Sequence, residues 1–154
     1  MEKKDLLQQW DLAQKALEKL MAKLPEMEKK QQSIQQSDLG YSIMHHKSIL
    51  ESAWEMAGVM DQKVRAAQPD DPNLEKFKLS VQRETERYER EKSQMEEELR
   101  RGGFASVEEA NEARLSDGEK KGLLLELQLF TMNYETALKR CESLNEQLSA
   151  LEEE

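Results

Sequence analysis

Hydrophobic residues recur at alternating spacings of three and four along most of the chain. The first run contains Leu6, Trp10, Ala13, Leu17, Leu20, Leu24, Met27 and Ile34. Only Gln31 interrupts it, and this heptad pattern keeps one face of a helix turned toward a partner helix. Pro25 lies inside the run and has no backbone N–H, so the pattern predicts a kink or helix break near residues 21–25.

A second run of the same kind extends to about residue 67. Its members are Leu39, Ile43, His46, Leu50, Ala53, Ala57, Met60, Val64 and Ala67. Gly40 stands near its start and can adopt the left-handed conformation that ends a helix, which predicts a break there. The strongest boundary is the linker 68–73 (QPDDPN), in which Asp71 is expected to be the N-cap of the next helix and Pro72 fits its first turn.

The third run is weaker than the others. It contains Leu74, Phe77, Val81, Tyr88, Met95 and Leu99. Glu84 and Glu91 occupy two of its hydrophobic positions, so this face is expected to be partly solvated. Gly102 and Gly103 are predicted to end the helix.

The last part of the chain has two helix-start signals. Ser106 with Glu109 and Ser116 with Glu119 both have the S-x-x-E spacing of a capping box. They predict a short helix and then a long one. The long helix carries the heptad positions Leu127, Phe130, Tyr134, Ala137, Cys141, Leu144, Leu148 and Leu151.

These patterns predict an all-α protein with four long helices and one short helix. Val, Ile, Thr and aromatic residues do not alternate with polar ones as sheet strands require. The expected architecture is an elongated antiparallel coiled coil or helical hairpin bundle. We divide the chain into heptad-rich helices at 1–67, the linker at 68–73, and one coiled-coil module at 74–154.

Composition supports a helical interaction or spacer protein. The 154 residues carry a net charge of −9, and 36 % of them are charged. This acidic balance disfavours a nucleic-acid groove, which needs clustered Lys and Arg. No apolar leader and no run of about 18 apolar residues occurs, so we expect a soluble, cytoplasmic protein without membrane contact.

The candidate chemical motifs favour structural roles. LSDGE (115–119) is similar to an ABC-type ATPase signature, but the P-loop that such a site needs is missing, so we interpret Ser116 as a helix cap. His45 and His46 are adjacent and point about 100° apart, which prevents chelation of one ion. Cys141 is the sole cysteine, which excludes an internal disulfide, and we interpret it as a core filler. We therefore assign no catalytic, cofactor-binding or metal-ligating residue, and expect a non-catalytic protein.

Residues 99–138 resemble the coiled-coil arm of SbcC-type proteins, SMC-like ATPase subunits of a bacterial DNA double-strand-break exonuclease. The matching positions are Gly103, Phe104, Ser106, Glu109, Ala113, Leu115 and Ser116. The family's P-loop head, Walker B strand and CxxC zinc hook do not occur in this sequence. The resemblance implies a segment that acts as a mechanical arm in DNA repair and recombination, in a subunit that pairs with a nuclease subunit and DNA.

Two other functions remain open at this point. A stand-alone adaptor or chaperone-like protein would hold a partner on its helical faces, and Trp54 is a candidate contact residue. A peripheral DNA-binding module would use the basic residues Arg83, Arg87, Arg90, Lys92, Arg100 and Arg101. Glutamates are interleaved with these residues, which favours ion pairing along the helix instead. The expected partner is a second copy of the chain or another coiled-coil helix.

Overall fold

The computed structural model describes residues 2–153 and contains five helices there. They are α1 (Lys3–Met21), α2 (Leu24–Ala66), α3 (Leu74–Gly102), α4 (Val107–Glu112) and α5 (Asp117–Glu152). Of the described residues, 88 % are helical, and no strand occurs among them. The prediction of an all-α protein is confirmed.

The chain divides into two compact units. Unit 1 combines the residues up to Ile34 with those from Leu115 onward, and unit 2 comprises Gln35–Arg114. Unit 1 therefore groups the first and last helices of the chain. The regions inferred from sequence follow chain order instead, because periodicity identifies helices without identifying their partners.

The interruption between α1 and α2 lies just before Pro25. Helix α1 ends at Met21, and α2 begins at Leu24. Pro25 is thus the second residue of α2. The first N–H groups of a helix have no intrahelical acceptor, so the missing proline N–H removes no hydrogen bond there.

The predicted helix break near Gly40 is wrong, because α2 continues through it. A Cβ atom on Gly40 would lie 2.4 Å from the carbonyl oxygen of Ala110, the single fully buried residue of α4. The glycine therefore allows the backbone of α4 to approach α2 closely. Gly40 therefore marks the point where α4 packs closely against α2, and not the end of a helix.

Helix α3 begins two residues later than predicted. Asn73 flanks its start, and Asp71 is not the N-cap. The Asp71 carboxylate instead accepts a hydrogen bond from the backbone N–H of Asn73 at 2.8 Å. This local turn uses the acceptor that would otherwise cap the helix.

The predicted end of α3 at Gly102 and Gly103 is confirmed. Gly103 has φ of 69°, in the left-handed region. The backbone N–H of Phe104 donates to the Leu99 carbonyl at 2.9 Å, and that of Gly103 donates to the Arg100 carbonyl at 3.1 Å. This is a Schellman motif, which satisfies the last carbonyls of the helix.

Both serine caps are present as predicted. The backbone N–H of Glu109 donates to Ser106 Oγ at 3.1 Å, and that of Glu119 donates to Ser116 Oγ at the same distance. The Glu109 carboxylate also accepts from the backbone N–H of Ala105 at 2.9 Å. These bonds satisfy N–H groups that the first turns of α4 and α5 would leave unpaired.

The core of unit 1 is made by the first and last heptad runs. Its buried members are Leu6, Ala13, Leu17, Cys141 and Leu144. Trp10, Tyr134, Ala137, Leu138, Leu148 and Leu151 pack around them. Every member of these two predicted runs is buried or half-buried, so the two faces identified from periodicity are confirmed.

Unit 2 has a smaller core with a different composition. The side chains of Ile43 and Ser37 are fully buried, as are those of Ala53 and Ala110. Helix α3 contributes no buried residue, which agrees with the expectation of a partly solvated third run. Small and polar residues therefore dominate this interior.

Candidate functional site

Two polar contacts accompany the hydrophobic pairing in unit 1. The Trp10 indole N–H donates to Asn145 Oδ1 at 2.5 Å. The Lys30 ammonium pairs with Glu126, and also lies 3.4 Å from Glu26. The hydrogen bond to Glu126 raises the pKa of Lys30 above its ordinary value of 10.5, because it stabilises the charged form.

A cluster of polar side chains lies in unit 2, and we call His46, Glu91, Glu98 and Ser42 the histidine cluster. His46 Nδ1 contacts the Glu91 carboxylate, and His46 Nε2 lies 3.5 Å from Glu98 Oε1. Ser42 Oγ donates to the same Glu98 oxygen at 2.8 Å. The side chains of His46, Glu91 and Glu98 are only 15–18 % exposed.

The histidine cluster can hold two helices in one register. Its hydrogen bonds form only when specific donor and acceptor atoms lie at matching positions along the two helix axes. Aliphatic contacts tolerate a shift of one helix along the other. Glu98 Oε2 is buried without a hydrogen-bond partner among the described residues. Helix movement that breaks the cluster would leave further polar atoms unpaired, which is costly in a covered site.

Part of this cluster was not identified from the sequence. The position of His46 in the second heptad run predicts a packed or partner-contacting residue, and Glu91, which interrupts the third run, is expected to be partly solvated. Glu91 instead faces His46. Ser42 and Glu98 were missed, although Ser42 precedes His46 by one helical turn and Glu98 follows Glu91 by one heptad.

An open groove adjoins the histidine cluster. Its volume is about 620 Å³, and its walls are Gln35, Asp38, Leu39, Ser42, Glu98 and Arg101. The walls are mainly polar. No group of three or more His, Cys, Asp or Glu side chains is arranged to hold a metal ion within residues 2–153.

The exposed Trp54 forms an aromatic pair with the half-buried Tyr88. The Trp54 side chain is 65 % exposed, and the two ring centroids are 5.1 Å apart. Two shallow cavities of about 280 and 290 Å³ adjoin Trp54. The first is bordered by Glu51 and Glu55, so the aromatic surface lies beside negative charge.

The other candidate residues occupy structural positions. Ser116 Oγ accepts the capping hydrogen bond of α5, which is the role inferred for LSDGE. Cys141 is a free, buried thiol in the core of unit 1. Of the basic residues, Arg87 pairs with Glu84 at 3.5 Å, and the Lys92 ammonium lies 5.9 Å from the centre of the Tyr88 ring.

No helix in the described part of the chain is both long enough and apolar enough to span a membrane. Comparison with known proteins gave no match to any family model, curated protein or solved structure.

Proposed function

We propose that this chain is a non-catalytic coiled-coil spacer built from antiparallel helix pairs. The observation that carries this proposal is the order of contacts between helices. In unit 2, contacts join Ser42 to Glu98 and Lys63 to Phe77. From the first contact to the second, the residue number rises by 21 on α2, from Ser42 to Lys63, and falls by 21 on α3, from Glu98 to Phe77. Equal and opposite changes are expected for antiparallel helices, which have the same rise per residue.

Unit 1 supports the same arrangement. Contacts join Trp10 to Asn145 and Lys30 to Glu126. Numbers rise by 20 along the first part of the chain and fall by 19 along α5. The order of contacts in each unit supports antiparallel pairing of an earlier helix with a later one, as proposed for a mechanical arm.

We propose further that the spacer belongs to the arm of an SMC-like ATPase subunit of a DNA double-strand-break exonuclease. The support is the resemblance of residues 99–138, together with the Schellman end of α3 and the two serine caps at the matching positions. In this role the chain itself binds no nucleotide. ATP-driven dimerisation of the heads would be coupled through the arm, and a partner nuclease subunit would cut DNA at the heads.

The size of the native polypeptide tests the arm assignment. Antibodies against this chain would be used to isolate the polypeptide that carries its peptides from the cells that express it. We expect a product several times heavier than 17.9 kDa, with P-loop peptides in the same band. A native product of 17.9 kDa would contradict the assignment and leave the spacer function to be tested alone.

An adaptor function is the second candidate, and the pairing of the exposed Trp54 with Tyr88 favours it. A tryptophan that is 65 % exposed beside another ring is the type of residue that dominates protein–protein binding energy. The test is affinity capture with the wild-type chain and with Trp54→Ala. A single partner lost from the variant, but retained by the matched exposed change Leu79→Ala, would support the adaptor.

A further inference from the structure

Helix α5 carries a second apolar stripe in addition to the face that packs on α1. The stripe contains Leu125, Leu129 and Met132, which are 56, 50 and 56 % exposed. Their spacings of four and three place them on one side of the helix. The core residues Cys141 and Leu144 belong to a different face, so intramolecular packing does not explain this stripe.

Two glycines extend the stripe toward the start of α5. Gly122 precedes Leu125 by three residues, and Gly118 precedes Gly122 by four. A Cβ atom at either position would meet nothing within 4 Å, and neither glycine has positive φ. Glycine destabilises a helix interior relative to alanine, and no contact within the described residues requires it here.

We propose that this face binds a second copy of the chain through an antiparallel, two-fold symmetric pairing of α5. In the best register, Leu125 of one copy packs against Leu129 of the other. The same register places Met132 over Gly122, where the missing side chain leaves room for it. The stripe is thus self-complementary, as an isologous interface between identical subunits requires.

The charges beside the stripe also favour binding of a second copy of the chain. Lys121 and Glu135 flank the stripe on the same side, and both are exposed. In an antiparallel pair with two-fold symmetry, the same side of each α5 helix faces the same side of the other. Lys121 of each copy therefore lies near Glu135 of the other copy. Two attractive pairs are formed per dimer, and they specify the direction of pairing more than its strength.

Sedimentation equilibrium of the full chain tests this proposal, which goes beyond the spacer function and does not depend on it. The wild-type mass is expected to rise with concentration from 17.9 kDa toward twice that value. Leu129→Glu is expected to raise the dissociation constant by at least about tenfold. Leu12→Glu is the matched control, since Leu12 is 61 % exposed on α1, and should leave the constant unchanged.

Three further single variants and one double variant separate pairing from folding. Gly122→Leu is expected to raise the thermal midpoint of the dilute monomer, yet weaken the dimer, because its side chain fills the space that Met132 occupies. Lys121→Glu and Glu135→Lys should each weaken the dimer, and their combination should restore it. A wild-type chain that stays monomeric, or a dimer insensitive to Leu129→Glu, would overturn the proposal; failed restoration would overturn its antiparallel register.

Discussion

The two units use the same heptad spacing to build different interiors. In unit 1, aliphatic residues of α1 and α5 form a continuous buried core. In unit 2, α3 has no buried residue, and His46, Glu91 and Glu98 occupy the interface between helices. Heptad spacing thus determines which face is covered, while the residues on that face determine whether hydrophobic burial or directional hydrogen bonds hold it.

The largest expected effect comes from the aliphatic core of unit 1. Leu144 is 5 % exposed, and Leu144→Ala should lower the free energy of unfolding by about 2–5 kcal/mol through lost burial and a residual cavity. Leu12→Ala, at an exposed position of α1, should change it by less than about 0.5 kcal/mol. Urea denaturation followed by circular dichroism measures both, and equal losses would contradict a core located between α1 and α5.

The next largest changes in the free energy of unfolding are expected at Gly40 and Gly58, the two glycines of α2. Gly40→Ala should lower the free energy of unfolding by about 1–3 kcal/mol, because its Cβ would overlap the Ala110 carbonyl oxygen. Gly58→Ala meets no neighbour and should raise it by about 0.5–1 kcal/mol. Thermal unfolding of both variants should therefore show shifts of opposite sign. Stabilisation by Gly40→Ala would show that α4 does not approach α2 as described.

The histidine cluster should contribute less to the free energy of unfolding than the core of unit 1. The contributions of His46 and Glu91 should be strongly coupled to each other. His46→Leu should lower the free energy of unfolding by about 1–3 kcal/mol, since it removes the histidine partner of the covered Glu91 carboxylate. The matched control His45→Leu changes an exposed neighbour and should have little effect. The double variant with Glu91→Leu should recover part of the loss in a double-mutant cycle. Additive losses would mean that His46 and Glu91 do not interact.

The smallest expected effect is the alkaline titration of Lys30. Its pKa is raised in the folded protein, so its pairing with Glu126 stabilises the fold fully below pH 10.5, the ordinary value of a lysine. That contribution is lost as the pH rises through the folded-state value. NMR titration of the Lys30 side chain should show the raised pKa, and Glu126→Gln should lower it. An unchanged Lys30 pKa in Glu126→Gln would show that Lys30 and Glu126 do not form the ion pair described.

Helix ends and covered faces could be predicted from the sequence because their causes are local. The Ser106 and Ser116 caps and the Gly102–Gly103 end depend on residues within one turn. The first and last heptad runs were likewise identified from spacing alone. Asp71 was misjudged because its carboxylate has two nearby uses, a helix cap and a turn, and spacing does not distinguish them.

The remaining features depend on residues distant in the chain. Gly40 is a helix breaker by local chemistry, but inside α2 it leaves room for the carbonyl oxygen of Ala110, a residue distant in the chain. Glu91 has the sequence pattern of a surface residue, but the packing of α2 against α3 places His46 beside it. The pairing of α1 with α5 also has no local signal, since every heptad face is a suitable partner for every other.

The direction of pairing in unit 1 is the claim on which the spacer function depends. Spin labels at Gln8→Cys and Gln147→Cys, in a Cys141→Ala background, measure it directly by pulsed electron paramagnetic resonance. Antiparallel pairing predicts a short distance for these labels. It predicts a distance longer by roughly 28 Å along the axis when the second label is moved 19 residues along α5, to Gln128→Cys. A shorter distance for the pair at 8 and 128 would contradict the account.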